Sequence, residues 1–231
     1  MSRYLRVVML IVAAVLYSHS ARSETDEAAQ REILLQTCVD CHGSSGESVS
    51  PEVPHLDRQL ASYLEESMDL LIKKQRPTKL AEHVPSSWTA EQVKLVATFY
   101  SASIPPRPPE PVDVDKATEG KEVFQERCQH CHENGGREPD SKGMGSAILA
   151  GQRIKYLENQ INAYLTHKRK FLTVMKERAF AGGALVVNGH VISDRMTKLT
   201  KKDAELIAHY LAADLSEAAA EKKKKRRNSK G

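Results

Sequence analysis

Apolar residues recur at helical spacing in three stretches of each half of the chain, and this pattern predicts an all-α protein. The middle stretches span about residues 56–73 and 150–167. The last stretches follow Thr89 and Thr200, each with Gln or Asp three positions later, as is typical of a helix N-cap. The predicted buried faces consist of Leu60, Tyr63 and Leu64; Val93, Val96, Ala97 and Tyr100; Ile154, Leu157, Ile161 and Leu165; and Leu206, Ile207, Tyr210 and Leu211.

The two halves repeat one sequence pattern. L-x-x-Q-x-x-x-Y-L-E begins at Leu56 and again at Leu149, an offset of 93 residues (149 − 56). The last helices, beginning their shared pattern at Leu95 and Leu206, are offset by 111 residues (206 − 95). The second copy therefore has 18 additional residues (111 − 93), in which residues 185–192 predict a hairpin with an Asn-Gly turn. We infer an internal duplication, with three helices in each copy.

The N-terminus has the features of a secretory signal peptide. Arg3 and Arg6 precede an apolar run over residues 7–17, and small residues follow up to Ser23. The run is shorter than the roughly 20 apolar residues that a spanning helix needs. We therefore predict a signal peptide over residues 1–23 and a periplasmic location.

Composition divides the remaining chain. Five prolines lie within residues 105–111 and predict a stiff, extended connector that holds two domains at a set separation. The expected domains are residues 24–103 and 113–214, joined by a linker over 104–112. The net charge is +4, and a basic run over residues 222–227 predicts a disordered, solvated tail over 215–231. A docking arm for an acidic partner or membrane is the alternative for this tail, and nucleic acid is not an expected partner.

One pentapeptide occurs twice and uses every cysteine of the chain: C-V-D-C-H at 38–42 and C-Q-H-C-H at 128–132. The spacing C-x-x-C-H is typical of a c-type haem attachment site, in which both thiols bind the porphyrin and the His is the proximal iron ligand. A zinc site would combine all four cysteines, and a redox dithiol needs no His. We predict two covalently attached haems c, on Cys38 and Cys41 and on Cys128 and Cys131, with His42 and His132 as proximal ligands. Aromatic residues make up only 5% of the chain, so the porphyrins would complete two small cores.

From about Gln30 to Ala213 the chain resembles the two-domain cytochrome c4 family, which includes the cytochrome subunit of flavocytochrome c sulfide dehydrogenase. The resemblance depends on C-x-x-C-H-G at 38–43, L-A-G-Q at 149–152 followed by Tyr156-Leu157, and L-I-A-x-Y at 206–210. It implies two tandem class I cytochrome c domains, related by internal duplication. It also implies a periplasmic electron carrier with His and Met on each iron.

The loops expected to carry the distal ligands differ between the copies. In the second copy the family pattern leads to Met175, and Met196, just before the last helix, is the alternative. The corresponding loop of the first copy, residues 76–85, contains no Met, and His83 is its only good iron ligand. We predict bis-His ligation by His42 and His83 at the first iron and His/Met ligation at the second. A second imidazole lowers the potential and a thioether raises it, so this asymmetry predicts a directional relay.

The predicted function is single-electron transfer between redox protein partners, such as an oxidase, reductase or dehydrogenase. The sequence contains no Ser-His-Asp arrangement and no phosphate-binding loop, so the chain itself is not expected to be an enzyme. Two alternatives remain open. If His83 does not bind iron, the first haem is an open catalytic site. In the second alternative, the chain is the electron-transfer subunit of a sulfide or other dehydrogenase. Any membrane association would come through its partners.

Overall fold

The structure, a computed structural model, describes residues 29–108, 110–129, 131–138, 146–166, 168–169, 186–187, 190–191 and 199–213. The first half has helices α1 (29–42), α2 (Ala61–Ile72) and α3 (Ala90–Ala102). The second half has α4 (Val114–Arg127), the single turn α5 (Glu133–Gly136), α6 (Ile154–Leu165) and α7 (Lys201–Ala212). Two-residue strands, β1 (Val186–Val187) and β2 (His190–Val191), pair antiparallel and confirm the predicted hairpin.

The last helix of each half begins with the same cap. Thr89 accepts a hydrogen bond from the backbone N–H of Gln92, whose side chain accepts from the backbone N–H of Thr89. Thr200 and Asp203 make the same reciprocal pair at α7. These capping boxes satisfy N–H groups that have no partner within a helix. Both predicted N-caps are confirmed.

The middle helices are shorter than predicted. Helix α2 begins at Ala61 and α6 at Ile154, because Leu60 and Arg153 are extended N-cap residues. The residues before them, from Pro54 and from Ala147, are instead in extended and turn conformations. Their backbone groups are therefore available for contacts outside a helix, and these contacts form the sites described below.

Each half has its own apolar core. In the first, Leu34 and Leu35 of α1 pack with Leu64 of α2 and with Val96, Ala97 and Tyr100 of α3, and Met68 packs at the edge. In the second, the buried residues are Phe124, Leu157, Leu199, Ile207, Ala208, Tyr210 and Leu211. The duplication predicted from the sequence thus corresponds to two separate helical cores.

Gly120 explains how closely α4 and α7 cross. A Cβ built on Gly120 would lie 1.9 Å from the carbonyl oxygen of Leu206, so that only glycine fits at this crossing. The close approach buries Phe124, whose ring centroid lies 5.1 Å from that of Tyr210. The absence of a side chain at Gly120 is therefore what permits the close approach of these two helices.

The linker is attached to both halves through one side chain. Arg107 Nε donates to both carboxylate oxygens of Asp57, at 3.1 and 2.9 Å, and Nη2 donates to the Asp57 carbonyl. On the other side, Nη1 donates to the carbonyls of Ala150 and Gly151. The relative position of the two halves is thus held by direct polar contacts in addition to linker stiffness.

The predicted signal peptide and basic tail lie outside the described residues, and their boundaries stay predictions. Within the described ranges, every helix is too short or too polar to cross a membrane.

Candidate cofactor sites

The first pentapeptide lies at the C-terminal end of α1. His42 is buried, and its Nδ1–H donates to the carbonyl of Pro54 at 3.0 Å, so Nε2 is the ring nitrogen left for a metal. Burial lowers the pKa of His42 to about 4. The hydrogen bond to Pro54 by itself raises that pKa, and the positive charges of His83 and Arg76 lower it further. The ring is therefore neutral at pH 7, which is the form that binds iron.

The second pentapeptide repeats this arrangement after α4. His132 is buried, and its Nδ1–H donates to the carbonyl of Ala147 at 2.9 Å. Pro54 and Ala147 occupy equivalent positions of the repeat, with the same offset of 93 (147 − 54). Both imidazoles are thus oriented by one backbone contact, as is typical of metal-binding histidines.

The four thiols have the spacing expected of haem attachment, and the first thiol of each pair lies against an apolar core. None of them is in a disulfide, and within the described ranges no three His, Cys, Asp or Glu side chains converge as a metal site of their own. Burial raises the pKa of Cys38 to about 11 and that of Cys128 to about 12. Both thiols lie against apolar core residues of their own half, where a porphyrin bonded to them would also pack.

His83 lies close to His42. The ring centroids are 5.9 Å apart and the ring planes are tilted by 40°. Nδ1 of His83 shares a hydrogen bond with Oγ1 of Thr78 at 2.9 Å, so its Nε2 is also left for a metal. Two imidazoles on opposite sides of one metal have centroids about 6 Å apart, since each metal–nitrogen bond is about 2 Å long. The observed spacing matches this requirement.

Polar side chains cross between the halves in equivalent pairs. Arg76 of the first half donates to the Tyr156 hydroxyl at 2.7 Å, and Arg169 of the second half donates to the Tyr63 hydroxyl at 3.2 Å. Arginines and tyrosines are both offset by 93 residues (169 − 76; 156 − 63). The pairs therefore form an interface with approximate two-fold symmetry. The sequence interpretation placed Tyr63 in an ordinary core face and did not identify the arginines.

This interface carries uncompensated positive charge. Arg169 is 3% exposed, and its Nε is buried without a hydrogen-bond partner. Among the described residues no carboxylate forms an ion pair with Arg76 or Arg169. Burial by itself raises the pKa of Tyr63, but the guanidinium groups of Arg169 and Arg76 lower that pKa to about 7. The interface is thus suited to an anionic group. The shared offset of 93 was the sequence signal that would have identified both arginines.

Two of the predicted iron ligands have no described position. Met175 and Met196 fall outside the described residues, so the structure does not distinguish between them.

Residues 117–213 match the family model described as cytochrome c. Cytochrome c-554(548) of Halomonas halodenitrificans is 33% identical over 79 residues, which are 33% of this chain and 95% of that protein. Cytochrome c-552 of Acidithiobacillus ferridurans is 27% identical over 156 residues, covering 62% of this chain. The match spans 65% of that relative's own length.

The fold matches a solved structure over most of its length. Reduced recombinant cytochrome c4 from Pseudomonas stutzeri superposes with a TM-score of 0.62 at 20% identity, covering 80% of this chain and 96% of that chain. The predicted fold class, an all-α protein of two tandem class I cytochrome c domains, is confirmed.

Proposed function

The chain belongs to the cytochrome c family, and from this we propose that it is a dihaem electron carrier that exchanges single electrons with redox proteins. Its cofactor is covalently attached haem c. The observation that carries the proposal is the repeated site itself. In each half a C-x-x-C-H motif ends in a buried His whose Nδ1–H donates to a backbone carbonyl. Two equivalent sites in one chain suit electron exchange between two partners.

The proposed attachment residues are Cys38 and Cys41 for the first haem and Cys128 and Cys131 for the second. His42 and His132 are the proposed proximal ligands. Supporting this, both rings are buried and Nδ1 of each is hydrogen bonded to a backbone carbonyl, which holds the ring in one orientation. When bound, each iron takes up and releases one electron between its ferric and ferrous states.

His83 is the proposed distal ligand of the first iron. The 5.9 Å spacing of its ring from that of His42 supports this role, as does the hydrogen bond that Thr78 makes to its Nδ1. For the second iron we propose Met175, with Met196 as the alternative, from the family pattern in the sequence. A second imidazole lowers the reduction potential and a thioether raises it. The ligand difference would therefore give the first haem the lower reduction potential, so that electrons pass from the first half to the second.

Arg76 and Arg169 are the proposed partners of the haem propionates. Both are cationic groups between the halves, Arg169 buried and Arg76 half-buried, and Nε of Arg169 has no hydrogen-bond partner. Carboxylates are the natural partners of a guanidinium fork, because two parallel N–H···O bonds form. Propionate carboxylates at this interface would neutralise the guanidinium charge that lowers the pKa of Tyr63.

We also propose a periplasmic location, which is supported by the signal peptide pattern over residues 1–23. The partners would be an oxidase, a reductase or a dehydrogenase. If the chain is the electron-transfer subunit of a dehydrogenase, it should co-purify with a separate catalytic protein from its native cells.

The test is an absorption and EPR spectrum of the oxidised, haem-loaded protein beside its His83→Ala variant. We expect a sulfur-to-iron charge-transfer band at the strength of one haem, and a low-spin bis-imidazole signal that the variant loses. His209→Ala is the matched control. His209 lies on α7 and its Nδ1 accepts from the Asp113 backbone N–H, so this substitution should leave the spectrum unchanged. A high-spin signal in the natural protein, together with carbon monoxide binding after reduction, would favour an open first haem and an enzyme.

A further inference from the structure

Two glutamines bind the backbone of the opposite half. Gln152, of the second half, accepts from the His55 N–H at 2.7 Å and donates to the His55 carbonyl at 2.8 Å. Gln59, of the first half, accepts from the Ile148 N–H at 2.9 Å and donates to the Ile148 carbonyl at 2.9 Å. Both side chains are at least nine-tenths buried. These are the glutamines of the repeated L-x-x-Q pattern, so the repeat encodes a reciprocal contact.

Each glutamine contacts the peptide that orients the other half's proximal His. The peptide between residues 54 and 55 accepts from His42 Nδ1–H at its oxygen and donates from its nitrogen to Gln152. The peptide between residues 147 and 148 accepts from His132 Nδ1–H and donates to Gln59. Each imidazole is thus the first member of a three-group hydrogen-bond chain that ends in the opposite half.

Such a chain changes the electronic character of the ligand. A peptide whose N–H donates to a good acceptor is more polarised, so its carbonyl accepts more strongly. A stronger acceptor at Nδ1–H makes the imidazole a more basic ligand. A more basic ligand favours ferric iron and lowers the reduction potential.

We propose that Gln152 and Gln59 are positioning residues that each tune the iron of the opposite half, through the peptide that holds its proximal His. Gln152 acts on the site of His42, and Gln59 acts on the site of His132. This inference depends on the proposed function, specifically on iron binding by the two histidines. Its consequence is that the electronic state of each site depends on the docking of the other half.

A purely structural role predicts something different. The hydrogen bonds that each glutamine Nε2 donates to a carbonyl of the opposite half hold the halves together whether or not iron is present. Loss of that tie alone would lower stability and leave both potentials unchanged or move them together. A shift in the reduction potential of one haem only, in the half that was not substituted, would distinguish tuning from a purely structural role.

The experiment uses the full haem-loaded chain with Gln152→Met and Gln59→Met, which keep side-chain length and remove both hydrogen bonds. The first readout is the Nδ1–H proton resonance of each proximal His in the reduced protein, assigned by its contacts with Pro54 or Ala147. The second is a redox titration of both haems. We expect Gln152→Met to move the His42 resonance upfield and raise the potential of the first haem only. Gln59→Met should do the same to His132 and the second haem.

Two further variants refine the test. Gln152→Glu keeps an acceptor for the His55 N–H, so the first potential should not rise. Arg153→Lys keeps the positive charge and weakens a cross-interface bond, to the Val49 carbonyl, that touches neither peptide, and both potentials should stay unchanged. A shift in the substituted half, equal shifts in both, or no shift in a folded, haem-loaded variant would each overturn the inference. Missing covalent haem, or a proximal ligand other than these histidines, would instead overturn the proposed function.

Discussion

Replacing Arg107 with Ala should remove the polar contacts between the linker and both halves. It should also leave the buried carboxylate of Asp57 without its main partner. The Asp57 side chain is 0% exposed and lies 2.9 Å from Arg107 Nε. Its second partner is Arg58 at 3.4 Å, a side chain that is 45% exposed. Arg107→Ala therefore removes the better-placed cation and also three backbone-directed hydrogen bonds.

The expected magnitude follows from this geometry. Removing one partner of a buried ion pair costs about 3–5 kcal/mol. Because Arg58 remains beside Asp57, we expect the lower end, about 3 kcal/mol of unfolding free energy. For a chain of this size that corresponds to a melting temperature lowered by roughly 6–12 °C.

The loss should depend on pH. Burial raises the pKa of Asp57, while Arg107 and Arg58 lower it, so that removing Arg107 raises the folded-state pKa further. A carboxyl whose folded pKa is raised contributes full stability below its unfolded pKa and loses it as pH rises through the folded value. The difference between variant and natural protein should therefore be greatest near pH 7 and shrink toward about pH 4 and below.

The assay is thermal and denaturant unfolding of the haem-loaded chain at several pH values, followed by circular dichroism. Lys73→Ala is the matched control, because its ion pair with Asp69 is half exposed and should contribute less than about 1 kcal/mol. An Arg107→Ala protein that unfolds like the natural one at pH 7, or whose loss does not shrink in acid, would refute this account of the linker.

Three further substitutions test other contacts by unfolding of the haem-loaded chain. Gly120→Ala should cost about 3 kcal/mol, because its Cβ would collide with the Leu206 carbonyl, whereas exposed Glu119→Ala should be nearly neutral. Thr200→Ala should cost about 1 kcal/mol by removing the α7 capping box, and an unchanged melting temperature would contradict that role. Tyr63→Phe should cost about 1.5–3 kcal/mol by removing the acceptor of buried Arg169 Nη2, and a neutral result would mean that another group satisfies that nitrogen.

Local patterns were good guides to the helices and weak guides to their ends. The caps at Thr89 and Thr200 were predictable because the reciprocal bonds lie within four residues of sequence. The start of α2 at Ala61 rather than Leu56 was not, because the intervening backbone N–H groups donate to carbonyls that are distant in sequence, Leu56 to Gly46 and Arg58 to Tyr100. Hydrophobic periodicity correctly placed Tyr63 against the first core, but it does not indicate that the Tyr63 hydroxyl also reaches Arg169 of the second half.

The cofactor sites divide in the same way. C-x-x-C-H defines the thiols and the proximal His by chain spacing alone, so His42 and His132 needed no tertiary information. The juxtaposition of His83 with His42, 5.9 Å between ring centroids, required the loop to fold back over the site. The role of His83 as an iron ligand stays a prediction.

The sequence by itself determined the duplication, the two attachment motifs and the helical character of the chain, because each follows from contacts or periodicities within one segment. Only the tertiary structure decided that Gln59, Gln152, Arg76 and Arg169 meet the opposite half. Their partners lie 80–106 residues away in sequence, and such pairings are selected by the burial and mutual satisfaction of polar groups when the two cores dock.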